Sequence, residues 1–118
     1  RVGALDLFIP AMLKPAARRI LESAEQVFVS SASIWEVAIK ARLGKIKVDP
    51  AALVAAIEPS GFLELPVSMA HAAAVHRLAL HHNDPFDRLL IAQALTEPLR
   101  LVTADSVLSA YGEIALMV

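Results

Sequence analysis

The run Asp84-Pro85-Phe86-Asp87-Arg88 opens an apolar stretch of helical length, and after it come the strand-like Leu99 to Val102 and then Thr103-Ala104-Asp105. A helix feeding a short, wholly apolar strand suits a sheet covered on both faces, as in parallel α/β layers. In that layout each acid stands where a strand ends and the chain turns into a helix, the edge at which open sheets collect their ligands. Glu36, within Ser30-Ser31-Ala32-Ser33-Ile34-Trp35-Glu36-Val37-Ala38, occupies the same kind of junction after the strand candidate Val27 to Val29. Three strand-to-helix junctions thus carry a carboxylate.

The rest of the chain repeats the alternation. Pro15 to Glu25 reads as a helix, Gln26 to Ser30 as a buried strand, and Ser33 to Leu43 as a helix that Gly44 ends. Asp49-Pro50 supplies an N-cap and the residue favoured at the first helical position, so Ala51 to Ile57 is expected to be helical, closed by Pro59-Ser60-Gly61. Phe62 to Val67 reads as a strand, and Ser68 opens a helix from Met69 to about Leu80. Asp84-Pro85 starts the helix to Thr96, Ser106 to Ala110 forms a short helix, and Ile114 to Val118 an edge strand. The expected fold is α/β with a mostly parallel sheet, in one domain spanning residues 1–118, a length that buries its own core.

Composition narrows the function. Apolar residues make up 57% of the chain, above the usual ~45–50%, which points to a sheet covered on both faces or to helices buried against a partner. The absence of cysteine excludes disulfide staples and zinc-thiolate sites, and a reducing cytoplasm is the simplest setting. No apolar run approaches a membrane span of about 18–20 residues, and Arg1 to Leu13 lacks the pattern of a signal peptide. A net charge of -1 argues against a generally basic nucleic-acid binder, so any RNA contact must be local. Lys40, Arg42, Lys45 and Lys47 form such a patch, uninterrupted by acids between Glu36 and Asp49. A solvated helix end, with cations offsetting the dipole, explains it equally well.

Each acid also has a purely structural explanation. Ser33 and Glu36 have capping-box spacing, Asp84 is a good N-cap with Asp87 in the first turn behind it, and Asp105 could cap the helix that follows. Capping does not require convergence at one sheet edge, whereas a hard divalent cation does, and converging carboxylates repel one another until a cation joins them. Thr103 could hydrogen-bond a ligand carboxylate, or simply end a strand. His71, His76, His81 and His82 lack zinc-ligand spacing and read as surface or loop residues. Trp35 reads as a core or subunit-contact anchor rather than a base-stacking platform. Arg88 could pair with a carboxylate or touch phosphate.

The combination of Asp-Pro-Phe-Asp-Arg-Leu-Leu-Ile-Ala with Thr-Ala-Asp resembles PIN-domain proteins of the VapC toxin type, over roughly residues 15 to 112. The resemblance implies a PIN-like three-layer sandwich, with a mostly parallel central sheet flanked by helices. It implies that Glu36, Asp87 and Asp105, with Asp6 as the first acid, surround Mg²⁺ or Mn²⁺ and that the domain cuts RNA. It further implies a homodimer and a VapB-like antitoxin whose C-terminal segment covers the cleft. The chain departs from the family pattern at its start, where Gly3-Ala4-Leu5-Asp6 runs quickly to Pro10 and Pro15, so the first strand and helix unit is expected to be altered or incomplete.

The expected activity is therefore metal-dependent endoribonuclease cleavage of single-stranded or looped RNA, as the toxin of a toxin-antitoxin pair. The expected site comprises Asp6, Glu36, Asp87 and Asp105, with Thr103 and Asp84 supporting them and Lys40, Arg42, Lys45, Lys47 and Arg88 contacting RNA. An alternative is a PIN-like module, catalytically impaired by loss of its first acid, that only binds RNA or antitoxin. A receiver-like signalling domain fits less well, because no mid-chain strand ends in a phosphoacceptor Asp and no Lys follows a late one.

Overall fold

A computed structural model describes residues 4–5, 26–81, 83–97, 99–103, 110–112 and 115–117. Its strands are β1 (Ala4–Leu5), β2 (Phe28–Ser30), β3 (Leu63–Leu65), β4 (Leu101–Thr103) and β5 (Ala115–Met117). Its α-helices are α1 (Ser31–Arg42), α2 (Pro50–Ile57), α3 (Met69–Ala74) and α4 (Pro85–Thr96). The expected helices at Pro15 to Glu25 and Ser106 to Ala110 fall wholly or mainly outside the described residues.

The strands form one sheet in the order β3-β2-β1-β4-β5, and all four pairings are parallel, with Leu5 opposite both Val29 and Val102. Parallel neighbours require crossover segments, and between β2 and β3 this is supplied by α1 and α2. Successive residues of β2 reach different layers. Val29 packs with Val37, Ile34, Leu53 and Ile57 of α1 and α2, whereas Phe28 packs with Leu65 and Leu99. A third cluster joins Ala32 to Leu90, Ile91 and Ala94 of α4 and to Leu101 of β4. Leu90, Ile91 and Leu101 are at most 1% exposed, and each such side chain contributes about 1.5–3 kcal/mol through burial.

Helix ends follow the local chemistry of the chain. Asp49 and Asp84 accept backbone N–H groups of the helices they precede, and Pro50 and Pro85 occupy the first turns. Gly44 at φ +75° ends α1 in a Schellman turn, with Lys45 N–H donating to Lys40 O at 2.9 Å and Gly44 N–H to Ala41 O at 3.1 Å. Gly61 at φ +84° closes the turn after α2 in the same way.

Two expectations about helices are corrected. α1 begins at Ser31 because Ser30, not Ser33, is its N-cap, accepting Ala32 N–H at 3.0 Å. Ser33 is buried within the helix, so Ser33 and Glu36 do not form a capping box. The helix expected from Met69 to Leu80 ends at Ala74, and a 3₁₀ turn follows over Val75–Arg77. The Arg88 guanidinium donates to Val75 O at 3.2 Å, which also accepts Leu78 N–H, and to Ala79 O at 3.1 Å, so it ties α4 to the segment that follows the early end.

Candidate metal centre

The two helices that carry Glu36 and Asp87 touch at two levels. Near the start of α1, Ser30 Oγ donates to Gln93 Oε1 at 2.5 Å, and one and a half turns later the Trp35 ring meets Phe86 edge to face with centroids 5.0 Å apart. As the position advances along α1 it retreats along α4, so the helices pack in antiparallel sense. Glu36 and Asp87 are the next residues after the touching rings, and both are partly buried.

Each carboxylate has a local setting. Lys40 Nζ lies 3.4 Å from Glu36 Oε2, an i,i+4 pair on α1. Asp87 occupies the first turn of α4, where the helix dipole favours an anion. Asp84 is the N-cap, its Oδ1 accepting Phe86 N–H at 2.8 Å and Asp87 N–H at 3.3 Å. Glu36 and Asp87 offer oxygen donors only, a set that suits a hard divalent cation such as Mg²⁺ or Mn²⁺.

Asp6 and Asp105 lie outside the described residues. Asp6 directly follows β1 in sequence and Asp105 comes two residues after β4. β1 and β4 are neighbours at the point where the strand order reverses direction, and in open α/β sheets ligands bind beyond the strand ends at such a point. Thr103 is the last residue of β4. Among the described residues no three His, Asp or Glu side chains gather as a metal-binding group.

A buried polar chain beside these helices was not anticipated. Gln93 is fully buried, with Nε2 lying 3.4 Å from Pro66 O, 3.5 Å from Leu65 O and 3.4 Å from His71 Nδ1. His71 is 2% exposed, so its reading as a surface or loop residue is corrected. Its Nδ1 accepts Ser68 N–H at 3.0 Å while Ser68 Oγ accepts His71 N–H at 3.1 Å, a capping box built with imidazole in place of a carboxylate. With Nδ1 accepting, the neutral ring carries its proton on Nε2, which donates to Glu97 Oε2 at 2.6 Å. Two sequence signals pointed here: Ser68-x-x-His71, and an amide inside the apolar run Leu90-Ile91-Ala92-Gln93-Ala94.

The surface around the site is mixed. Lys40, Arg42, Lys45 and Lys47 are exposed, and Arg88 is held by the carbonyl contacts described above. Trp35 is 60% exposed and therefore not a core residue; with Ile39 and the C-cap residue Leu43 it forms an exposed apolar stripe at i, i+4 and i+8 along α1. A cleft of about 480 Å³ between α1, α2 and β3 is lined by Val29, Ile34, Val54, Ile57 and Leu63, with Glu58 and Glu64 among its polar groups. Glu36 and Asp87 do not line it.

The chain has no match among curated proteins. Its fold is similar to that of a solved toxin-antitoxin complex from Klebsiella pneumoniae, with a TM-score of 0.68 and 19% identity over 97% of this chain and 96% of that one. Residues 10–114 match the family model described as PIN domain. This span takes in Glu36, Asp87, Asp105 and the strands β2 to β4, and the chain belongs to the PIN domain family.

Proposed function

We propose that the chain is a cytoplasmic, single-domain Mg²⁺- or Mn²⁺-dependent endoribonuclease of the VapC type, the toxin of a toxin-antitoxin pair. One observation carries the reading: α1 and α4 pack so that Glu36 and Asp87 each follow a residue whose ring touches the other's helix. Removal of the Ser33–Glu36 capping box leaves the position of Glu36 without that structural explanation.

Glu36, Asp87, Asp105 and Asp6 would hold the ion, with Thr103 and Asp84 supporting them. When bound, the ion acidifies water and offsets charge developing on a phosphodiester. The chain's own residues do the rest. Asp84 fixes the first turn of α4 and so the backbone from which Asp87 projects. Arg42 at the end of α1, and Lys45 and Lys47 beyond it, are contacts for phosphate oxygens, and Lys40 joins them when Glu36 turns to the ion. Unpaired RNA suits a site at a sheet edge, because its backbone can be splayed toward the acids.

A VapB-like antitoxin is the proposed partner, and the fold shared with a protein solved in a toxin-antitoxin complex supports it. The exposed stripe of Trp35, Ile39 and Leu43 supports a homodimer, since an apolar helix face of this kind calls for a protein surface.

The test is cleavage of end-labelled unstructured RNA by protein stripped with EDTA and then supplied with Mg²⁺ or Mn²⁺. Cleavage is expected only with the ion and is expected to vanish in Asp87→Asn. Cutting that persists in EDTA, or an Asp87→Asn variant as active as the parent, would overturn the reading.

A further inference from the structure

A primary amide buried among Leu90, Ile91, Ala92 and Ala94 is tolerated only when its donor and acceptor are matched, because water cannot reach it. The matching fixes which way Gln93 points. Ser30 Oγ already accepts Ala32 N–H, so its hydroxyl proton is available for Gln93 Oε1, and Nε2 is thereby turned to the carbonyls of Leu65 and Pro66 and to His71 Nδ1. One side chain of α4 thus contacts the N-cap of α1, the exit from β3 and the first turn of α3.

Apolar contacts alone hold two helices in a range of registers, whereas hydrogen bonds have narrow limits of distance and angle. The register matters here. Ser30 precedes Glu36 by six residues on α1, and Gln93 follows Asp87 by six on α4, so each acid lies about 9 Å along its helix from the same hydrogen bond. The Trp35–Phe86 contact is the second point of attachment, beside the acids themselves. Two rigid helices joined at two points have a set separation between Glu36 and Asp87.

We propose that Gln93 is a positioning residue of the acidic site: its amide, locked by Ser30 and the strand-end carbonyls, sets the register of α4 against α1 and hence the spacing of Asp87 from Glu36. This rests on the reading of those two acids as the holders of a divalent ion. Gln93 itself touches neither ion nor RNA.

The experiment measures Mn²⁺ binding to the intact chain by electron paramagnetic resonance, with circular dichroism in EDTA as the check on folding. Gln93→Leu keeps a similar volume and removes the hydrogen bonds. It is expected to unfold cooperatively and to bind Mn²⁺ about 10- to 100-fold more weakly, the range seen when groups that orient metal ligands are removed. Ser30→Ala is expected to weaken binding in the same direction, and Ser30→Thr, which keeps the hydroxyl, to restore most of it; a merely structural Gln93 would give no such rescue. Mn²⁺ affinity within twofold of the parent in folded Gln93→Leu overturns the proposal, and so does loss of folding in both Gln93→Leu and Ser30→Ala. Asp87→Asn separates this failure from that of the underlying reading. If it binds Mn²⁺ as the parent does, the metal assignment is wrong and the proposal falls with it; if it loses binding while Gln93→Leu keeps it, only the positioning role is lost.

Discussion

Trp35 meets Phe86 edge to face with ring centroids 5.0 Å apart, and each residue immediately precedes a candidate acid, Glu36 or Asp87. An edge-to-face pair contributes about 0.5–1.5 kcal/mol beyond the area it buries. Because Trp35 is 60% exposed, little burial is added to that figure. Trp35→Ala is therefore expected to lower unfolding stability by about 1 kcal/mol, and Trp35→Phe to recover most of the loss. A urea denaturation cycle with Phe86→Ala checks the coupling. Additive effects of the two alanines would mean that the rings do not cooperate.

Asp87→Asn separates ligand from cap. Asp84, not Asp87, accepts the N–H groups at the start of α4, so Asp87 is not needed to cap the helix. Its own benefit from the helix dipole is about 0.3–1 kcal/mol, and in the proposed site this is offset in metal-free buffer by relief of repulsion from the other acids. Stability in EDTA is expected to stay within about 1 kcal/mol of the parent, while Mg²⁺-dependent cleavage disappears. Asp84→Ala should show the opposite emphasis, losing about 0.5–2 kcal/mol of stability with its cap. Thermal unfolding of the two variants in EDTA compares them directly.

Much of this arrangement could be read from the chain because its signals are local. Asp49-Pro50, Asp84-Pro85, Gly44 and Gly61 act through backbone geometry within a few residues, and each marks the helix boundary expected of it. The parallel order of the sheet was legible in the alternation of apolar strands with helices. What escaped depends on distant partners. Ser30 is the N-cap of α1, and its hydroxyl is turned to Gln93, which stands 63 residues away. His71 looks like one more surface histidine among alanines until Glu97 and Ser68 are placed on either side of it. The helix after Ser68 stops early where Arg88, from another element, reaches Val75 and Ala79. Of the four expected ligands, the described residues include Glu36 and Asp87; Asp6 and Asp105 lie beyond them.

Arg88 joins α4 to the turn after α3 through Val75 O and Ala79 O, and Tyr111 donates its hydroxyl to the same Ala79 carbonyl at 2.9 Å. Replacing the guanidinium leaves carbonyls without their charged donor. Arg88→Ala is expected to cost about 1.5–3 kcal/mol, with amide exchange accelerated in residues 75–81 before the rest of the molecule. Lysine is not an adequate substitute, because one ammonium does not reproduce the planar fork that spans two carbonyls. Uniform acceleration across α1 and α4 as well would show instead that the contact supports the whole fold and not this turn.

The basic run after Glu36 divides into two parts by its contacts. Lys40 is paired with Glu36 on α1, whereas Lys45 and Lys47 lie beyond Gly44, exposed in the segment that leads to α2. If this segment follows an RNA backbone, each lost phosphate contact lowers the log-log salt dependence of binding by about 0.7 on a single strand. The double variant Lys45→Ala, Lys47→Ala in an Asp87→Asn background, where cleavage does not intrude, is therefore expected to reduce the slope by about 1.4. Binding should weaken to a similar degree for RNAs of different sequence, because phosphates carry no base information. Stability is expected to change by less than about 0.5 kcal/mol, as for exposed positions away from the core. Fluorescence anisotropy with labelled RNA over a range of KCl concentrations measures the slope. If it matches that of Asp87→Asn alone, Lys45 and Lys47 are solvated charges on a connecting segment, and the RNA path runs elsewhere.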